Sequence, residues 1–141
     1  GVQMIDNAIK TILVDSTEIA ITLITNTYVE TVPQNVLDSL SSNNEGDFKI
    51  FLTHQPQEFL IGTAQKNNFD LFLAGHTHGG QITFVFPFVQ LTPTMFETSY
   101  IRGDFWFDSM LMIINRGLGM SLAPLRYNST PEITLIILKN K

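Results

Sequence analysis

The sequence contains no cysteine. Disulfides, zinc–thiolate sites and cysteine nucleophiles are therefore excluded, while the compartment stays open. Charge is scarce as well. Only 15% of residues are charged, and eight Lys and Arg stand against thirteen Asp and Glu, for a net charge of −5. The basic residues are scattered, which leaves no footprint for a phosphate backbone, and nucleic acid is not an expected partner. No apolar run approaches the length of a membrane span. Gly1-Val2-Gln3-Met4 has neither the charged nor the apolar region of a signal peptide. There is no initiator methionine, as in a processed or truncated piece, and no repeat or low-complexity tract. What the chain does have is apolar residues, 44% of 141, enough for one domain with a core.

Histidine is rare, and its placement is informative. Two of the three lie in Gly75-His76-Thr77-His78-Gly79-Gly80-Gln81, directly after the apolar run Phe69–Ala74, and the third, His54, ends the apolar run Phe48–Thr53. All the imidazoles thus lie at two strand ends, where open α/β sheets bind ligands. Glycines around His-x-His allow a sharp turn and close approach of a ligand. Three imidazoles without thiolates suit zinc, iron, manganese or copper. A lone histidine at a strand end is more often a surface or hydrogen-bonded residue. His-x-His between glycines, with a second strand-end histidine upstream, favours the metal reading.

The rest of the pattern is α/β. Thr11–Val14 and Ile19–Ile24 read as a hairpin around Asp15–Glu18, and Pro33–Leu40 as a helix opened by proline. Strand Phe48–Thr53, a helix over Pro56–Asn67 with Phe59, Leu60 and Ala64 on one side, and strand Phe69–Ala74 form a unit that predicts parallel pairing. Strands are expected at Ile82–Val89, Tyr100–Phe107, Leu111–Asn115 and Ile133–Leu138. Asn115-Arg116-Gly117-Leu118-Gly119 is a glycine-rich turn. Arg116 and Arg126 are candidate substrate-phosphate ligands, since a guanidinium matches phosphate oxygens in a fork, with ordinary ion pairing as the plainer alternative. Asp104 is a candidate for orienting an imidazole. Asp70 is the weaker candidate, at the far end of its strand. The run Ile82–Val89 reads either as a buried strand or as an apolar lip beside the site.

His54-Gln55-Pro56 followed by Gly75-His76-Thr77-His78-Gly79-Gly80-Gln81 resembles the C-terminal half of a calcineurin-like metallophosphoesterase, in its small bacterial phosphodiesterase-like branch. Arg116-Gly117-Leu118-Gly119 and Pro131-Glu132-Ile133 add supporting matches, and the likeness runs from Gly1-Val2 to Leu138. Gln55 stands where asparagine is usual, and Ile24-Thr25-Asn26-Thr27 lacks the Gly-x-Asp-Asp pattern often found there. The resemblance implies the second half of a two-sheet α/β sandwich flanked by helices, with residues 1–141 as one incomplete domain. It implies a dinuclear centre of two divalent ions (manganese, zinc or iron), with His54 and His76 on one metal and His78 on the other. The family's Asp-x-His, Gly-Asp and Gly-Asn-His-Asp motifs, with its general acid, would lie upstream in an N-terminal half. By itself the chain would bind metal weakly and not turn over. The intact protein, cytoplasmic or membrane-associated, would hydrolyse a phosphoester. The apolar run points to a lipid-linked substrate and peripheral membrane association. Two rivals are a non-catalytic scaffold of the same fold that binds protein, and a mononuclear metal-binding domain complete as it stands.

Overall fold

The computed structural model describes residues 4–139. Gly1 and Val2, where the resemblance begins, and the last two residues lie outside the described ones. Eight strands and two helices follow in the order β1 (Ala8–Val14), β2 (Thr17–Ile24), α1 (Gln34–Ser42), β3 (Phe48–Thr53), α2 (Glu58–Lys66), β4 (Leu71–Ala74), β5 (Phe84–Phe86), β6 (Val89–Leu91), β7 (Gly103–Phe107) and β8 (Met110–Ile114). Six of the strands form one sheet, ordered β1-β2-β3-β4-β8-β7. Its centre, β2-β3-β4-β8, is parallel, and β1 and β7 close its edges antiparallel.

Alternation along the parallel strands decides which face is covered. Phe51 pairs with Phe72, and Phe72 with Met112, so all three point to one side. That face meets Leu37 of α1 and Leu60, Ile61 and Ala64 of α2 in a single core. The Phe51 and Phe72 rings stack at 5.1 Å, and Phe69 closes on Phe51 edge-on at 5.3 Å. The opposite face is also apolar but less buried: Leu52 is 37% exposed and Trp106 67%. Of the expected two-sheet sandwich, the described residues form one large sheet and a small hairpin.

Three local expectations are corrected. The α2 face that enters the core carries Ile61 with Leu60 and Ala64, whereas Phe59 is 40% exposed. Ile82–Val89 is not one strand: Pro87 and Phe88 turn the chain, and β5 and β6 form an exposed hairpin. Pro87 lacks the N–H that a continuing ladder needs. Ile133–Leu138 forms no strand, and its apolar residues are largely exposed, Leu135 to 83%.

Candidate metal centre

The parallel register puts the carboxyl ends of β3 and β4 side by side. The ladder runs one step past the strands, with the Gly75 N–H donating to the His54 carbonyl at 3.2 Å, and Asn115 beyond β8 donating to Ala74 at 2.8 Å. His54 and His76 therefore leave adjacent strands at the same edge. Their rings meet edge to face, with centroids 4.9 Å apart. His76 Nδ1 and His54 Nε2 face each other at 3.1 Å. Two nitrogens that each lie about 2.1 Å from one cation are separated by roughly 3.0–3.4 Å at octahedral or tetrahedral angles. The His54–His76 nitrogen separation of 3.1 Å falls within that range.

The backbone of the loop is forced. His76, His78, Gly79, Gly80 and Gln81 all have positive φ, which most side chains avoid, with Thr77 between the two histidines at φ −65°. Thr77 pins it from below: fully buried, its hydroxyl donates to the Ile101 carbonyl. Gly79 has a second reason to be glycine. A Cβ there would meet the Arg116 side chain and the Ser129 hydroxyl at 2.6 Å.

His78 contacts neither of the other rings. It faces Gly119, and its carbonyl accepts from the Ser129 hydroxyl at 2.6 Å and from Arg126 at 3.1 Å. Among the described residues, no group of three or more His, Asp or Glu side chains is arranged to hold one metal ion. Burial holds the His54 imidazole below the ordinary imidazole range, with His76 and His78 nearby adding to the effect. Burial and the Arg126 charge lower His78 in the same way, against a hydrogen bond to Gly119 that raises it. In both rings the surroundings disfavour the charged form, and the neutral imidazole is the form that ligates.

A pH dependence follows. A histidine with a lowered folded-state pKa binds its proton more readily when unfolded, so its neutral form favours folding only above the unfolded value near 6.5. The metal-free protein is expected to lose urea resistance as pH falls below about 6.5 and to show a flat midpoint above 7.5. His54→Asn should flatten part of that slope, and a midpoint independent of pH between 7.5 and 5.5 would contradict the assignment.

The two arginines are used differently. The Arg126 guanidinium donates to five carbonyls, those of His78, Arg116, Gly117, Gly119 and Ser129. That use shapes the loop under His78. Arg116 pairs through Nε with Glu132 at 2.8 Å. Asp70 accepts from the Lys49 N–H at the far end of the sheet, and Asp104 is exposed on β7. The carboxylate beside the histidines is Glu97, which the sequence reading passed over. Its Oε2 lies 3.0 Å from His76 Nε2 and also accepts from the Tyr28 hydroxyl. The Glu97 contact pushes the Tyr28 phenol up to about 12. One signal was available: Glu97 is the sole acidic residue between Asp70 and Asp104. Gln55, fully packed, accepts through Oε1 from Asn26 at 3.1 Å, while the buried Asn26 Oδ1 has no partner among the described residues. Tyr28, Gln55, Pro56, Gln57, His76, Glu97 and Thr98 line an open cleft of about 200 Å³.

No family model matches the chain, and no solved structure matches it. Bacterial relatives do. The chain is 40% identical over 102 residues, 72% of its length, to the uncharacterized metallophosphoesterase YkuE of Bacillus subtilis, and covers 35% of that protein. It is 34% identical over 99 residues to the uncharacterized metallophosphoesterase Cj0846 of Campylobacter jejuni, covering 70% of this chain and 25% of that one. It is 32% identical over 88 residues to the phosphodiesterase YaeI of Escherichia coli, covering 62% and 31%. The chain thus spans between a quarter and about a third of the length of these curated relatives, in their C-terminal part. Mixed α/β architecture, a Gly-His-Thr-His loop at the tip of a parallel strand and these relatives agree, and the chain belongs to the calcineurin-like metallophosphoesterase family.

Proposed function

We propose that the intact protein is a metal-dependent phosphoester hydrolase, cleaving a phosphodiester, phosphomonoester or pyrophosphate bond, and that this chain supplies the histidine side of its metal centre. The facing nitrogens of His54 and His76, 3.1 Å apart at the ends of neighbouring parallel strands, carry the reading. In it, His54 and His76 hold one divalent cation (manganese, zinc or iron) and His78 contributes to a second. Bound there, such ions would neutralise phosphate charge and make water a stronger nucleophile. The chain's own part is to present neutral imidazoles from a rigid edge, with the left-handed loop fixing their direction. Arg116, whose Nε lies 2.8 Å from Glu132, would offer its terminal nitrogens to a substrate phosphate, and Arg126 would support His78 through the loop.

Residues 1–141 would then be the C-terminal portion of one domain. The half-exposed apolar face of the sheet supports packing against an N-terminal half that would bring the carboxylates and the general acid. Chelation of the intact protein is expected to abolish hydrolysis of an aryl phosphodiester, and Mn²⁺ to restore it. Turnover in the presence of chelator, or full activity from the 141 residues alone, would count against this function.

A further inference from the structure

We propose that Glu97 is the positioning residue for His76: its carboxylate accepts the Nε2–H and so turns the Nδ1 lone pair toward His54. The proposal rests on the metal-centre reading of the histidine pair and adds to it a residue outside every motif.

Three groups crowd His76 Nε2. Glu97 Oε2 and the Tyr28 hydroxyl each lie 3.0 Å away, and the Gln55 side-chain nitrogen lies at 3.4 Å. They make opposite demands. A carboxylate has only lone pairs to offer, so a bare Nε2 beside it would set lone pair against lone pair. Gln55 Nε2 has only N–H to offer and would need a bare ring nitrogen. Its direction is fixed from behind, because Oε1 accepts from Asn26 at 3.1 Å and from Gln57 at 3.2 Å. Distance and charge favour the carboxylate, since a hydrogen bond to an ionised acceptor is roughly twice as strong as a neutral one. The Tyr28 hydroxyl does not compete, because it donates to the same Glu97 oxygen.

Glu97 is held in place independently of His76. It follows the short 3-10 turn Pro93–Phe96, and the adjacent Thr98 hydroxyl donates to the Pro56 carbonyl at 3.2 Å, tying this loop to the one that carries His54 and Gln55. The His76 side chain is 12% exposed, so its ring has little freedom to turn elsewhere. With the proton on Nε2, Nδ1 is bare and faces His54 Nε2. In the metal-free protein His54 must then donate from Nε2. With metal between the rings its proton moves to Nδ1.

Nitrogen-15 NMR of the intact protein, labelled at histidine, reads these tautomers without any assay of activity. In the metal-free wild type, His76 is expected as the Nε2–H form and His54 likewise. Adding Zn²⁺, which is diamagnetic, should convert His54 alone to Nδ1–H. Glu97→Ala should shift His76 toward Nδ1–H and weaken Mn²⁺ binding, measured by calorimetry, by about 10–100-fold. Tyr28→Phe should leave the His76 tautomer unchanged. Wild-type His76 found as Nδ1–H overturns the proposal whether or not any variant folds, and so does a folded Glu97→Ala protein with unaltered tautomer and Mn²⁺ affinity. His76→Ala separates the two layers of the argument. If it leaves Mn²⁺ affinity intact, the metal-centre reading fails. If it abolishes binding while Glu97→Ala changes nothing, only the role of Glu97 fails.

Discussion

His76→Ala in the intact protein is expected to lower kcat/KM on an aryl phosphodiester by roughly a thousandfold, about 4 kcal/mol of transition-state stabilisation. The size follows from what the residue is asked to do. His76 Nδ1 and His54 Nε2 form the one closely facing pair of ring nitrogens, and removing either leaves a single imidazole at that position. In the two-ion centre proposed above, charge neutralisation on phosphate would be shared, so the loss of one ion would reach the whole reaction. Under the same proposal His78→Ala would act on a second ion, because His78 makes no ring stack or hydrogen bond with His54 or His76 and lies against Gly119 and the Arg126 clamp. Elemental analysis of the two variants should therefore show different residual metal content. Equal, wild-type metal content and unchanged rates in both would remove the assignment.

Much of this site was legible because its parts are local in sequence. His54 and His76 lie just past two apolar runs, and parallel pairing of those runs is enough to bring them together. The glycines of the histidine loop announce positive φ, which the backbone then adopts. The approach of Glu97 and Tyr28 to His76 was not legible, since both come from irregular loops whose course no periodicity encodes, and Glu97 was marked only by its isolation as an acidic residue. Arg126 looked like a phosphate ligand because a guanidinium in a turn offers the same donors to a substrate or to carbonyls; only the folded loop shows that five carbonyls have taken them. The strand expected at Ile133–Leu138 failed for a related reason. Its β-branched run is a good strand sequence, but strand formation needs a ladder partner, and no described strand edge pairs with it.

If the intact protein prefers a lipid-linked phosphodiester over a water-soluble nucleotide analogue, Phe86→Ser combined with Phe88→Ser is expected to reduce that preference by about 10–100-fold, the order of effect of burying one or two phenyl rings. Phe84 and Phe86 are about half exposed, Phe96 is 89% exposed, and Phe88 stands wholly free at the hairpin turn. Phe88 also has φ 75°, a conformation that costs a bulky residue strain. Tyr100, by contrast, packs edge-on against Phe105 and Phe107 at the core margin and belongs to the fold. No Asp, Glu, Lys or Arg occurs from Gln81 to Phe96 or from Gly117 to Leu125. The two uncharged segments are stitched together: the Gln81 side chain donates to Ser121 and Ala123 carbonyls at 2.7 and 3.0 Å, and Thr83 N–H donates to the Tyr127 carbonyl at 2.9 Å. Leu118, Met120 and Leu122 extend the exposed apolar surface along this second segment. Exposed apolar side chains thus follow the histidine loop on two linked segments, a composition suited to an acyl chain or a bilayer surface. Because these segments carry no charge, docking through them should be driven by the rings and stay nearly independent of salt. Turnover of the soluble analogue should be unchanged in the double variant, which checks that the site itself is intact. If the two substrates keep their wild-type ratio in the double variant, the aromatic lip has no part in substrate choice.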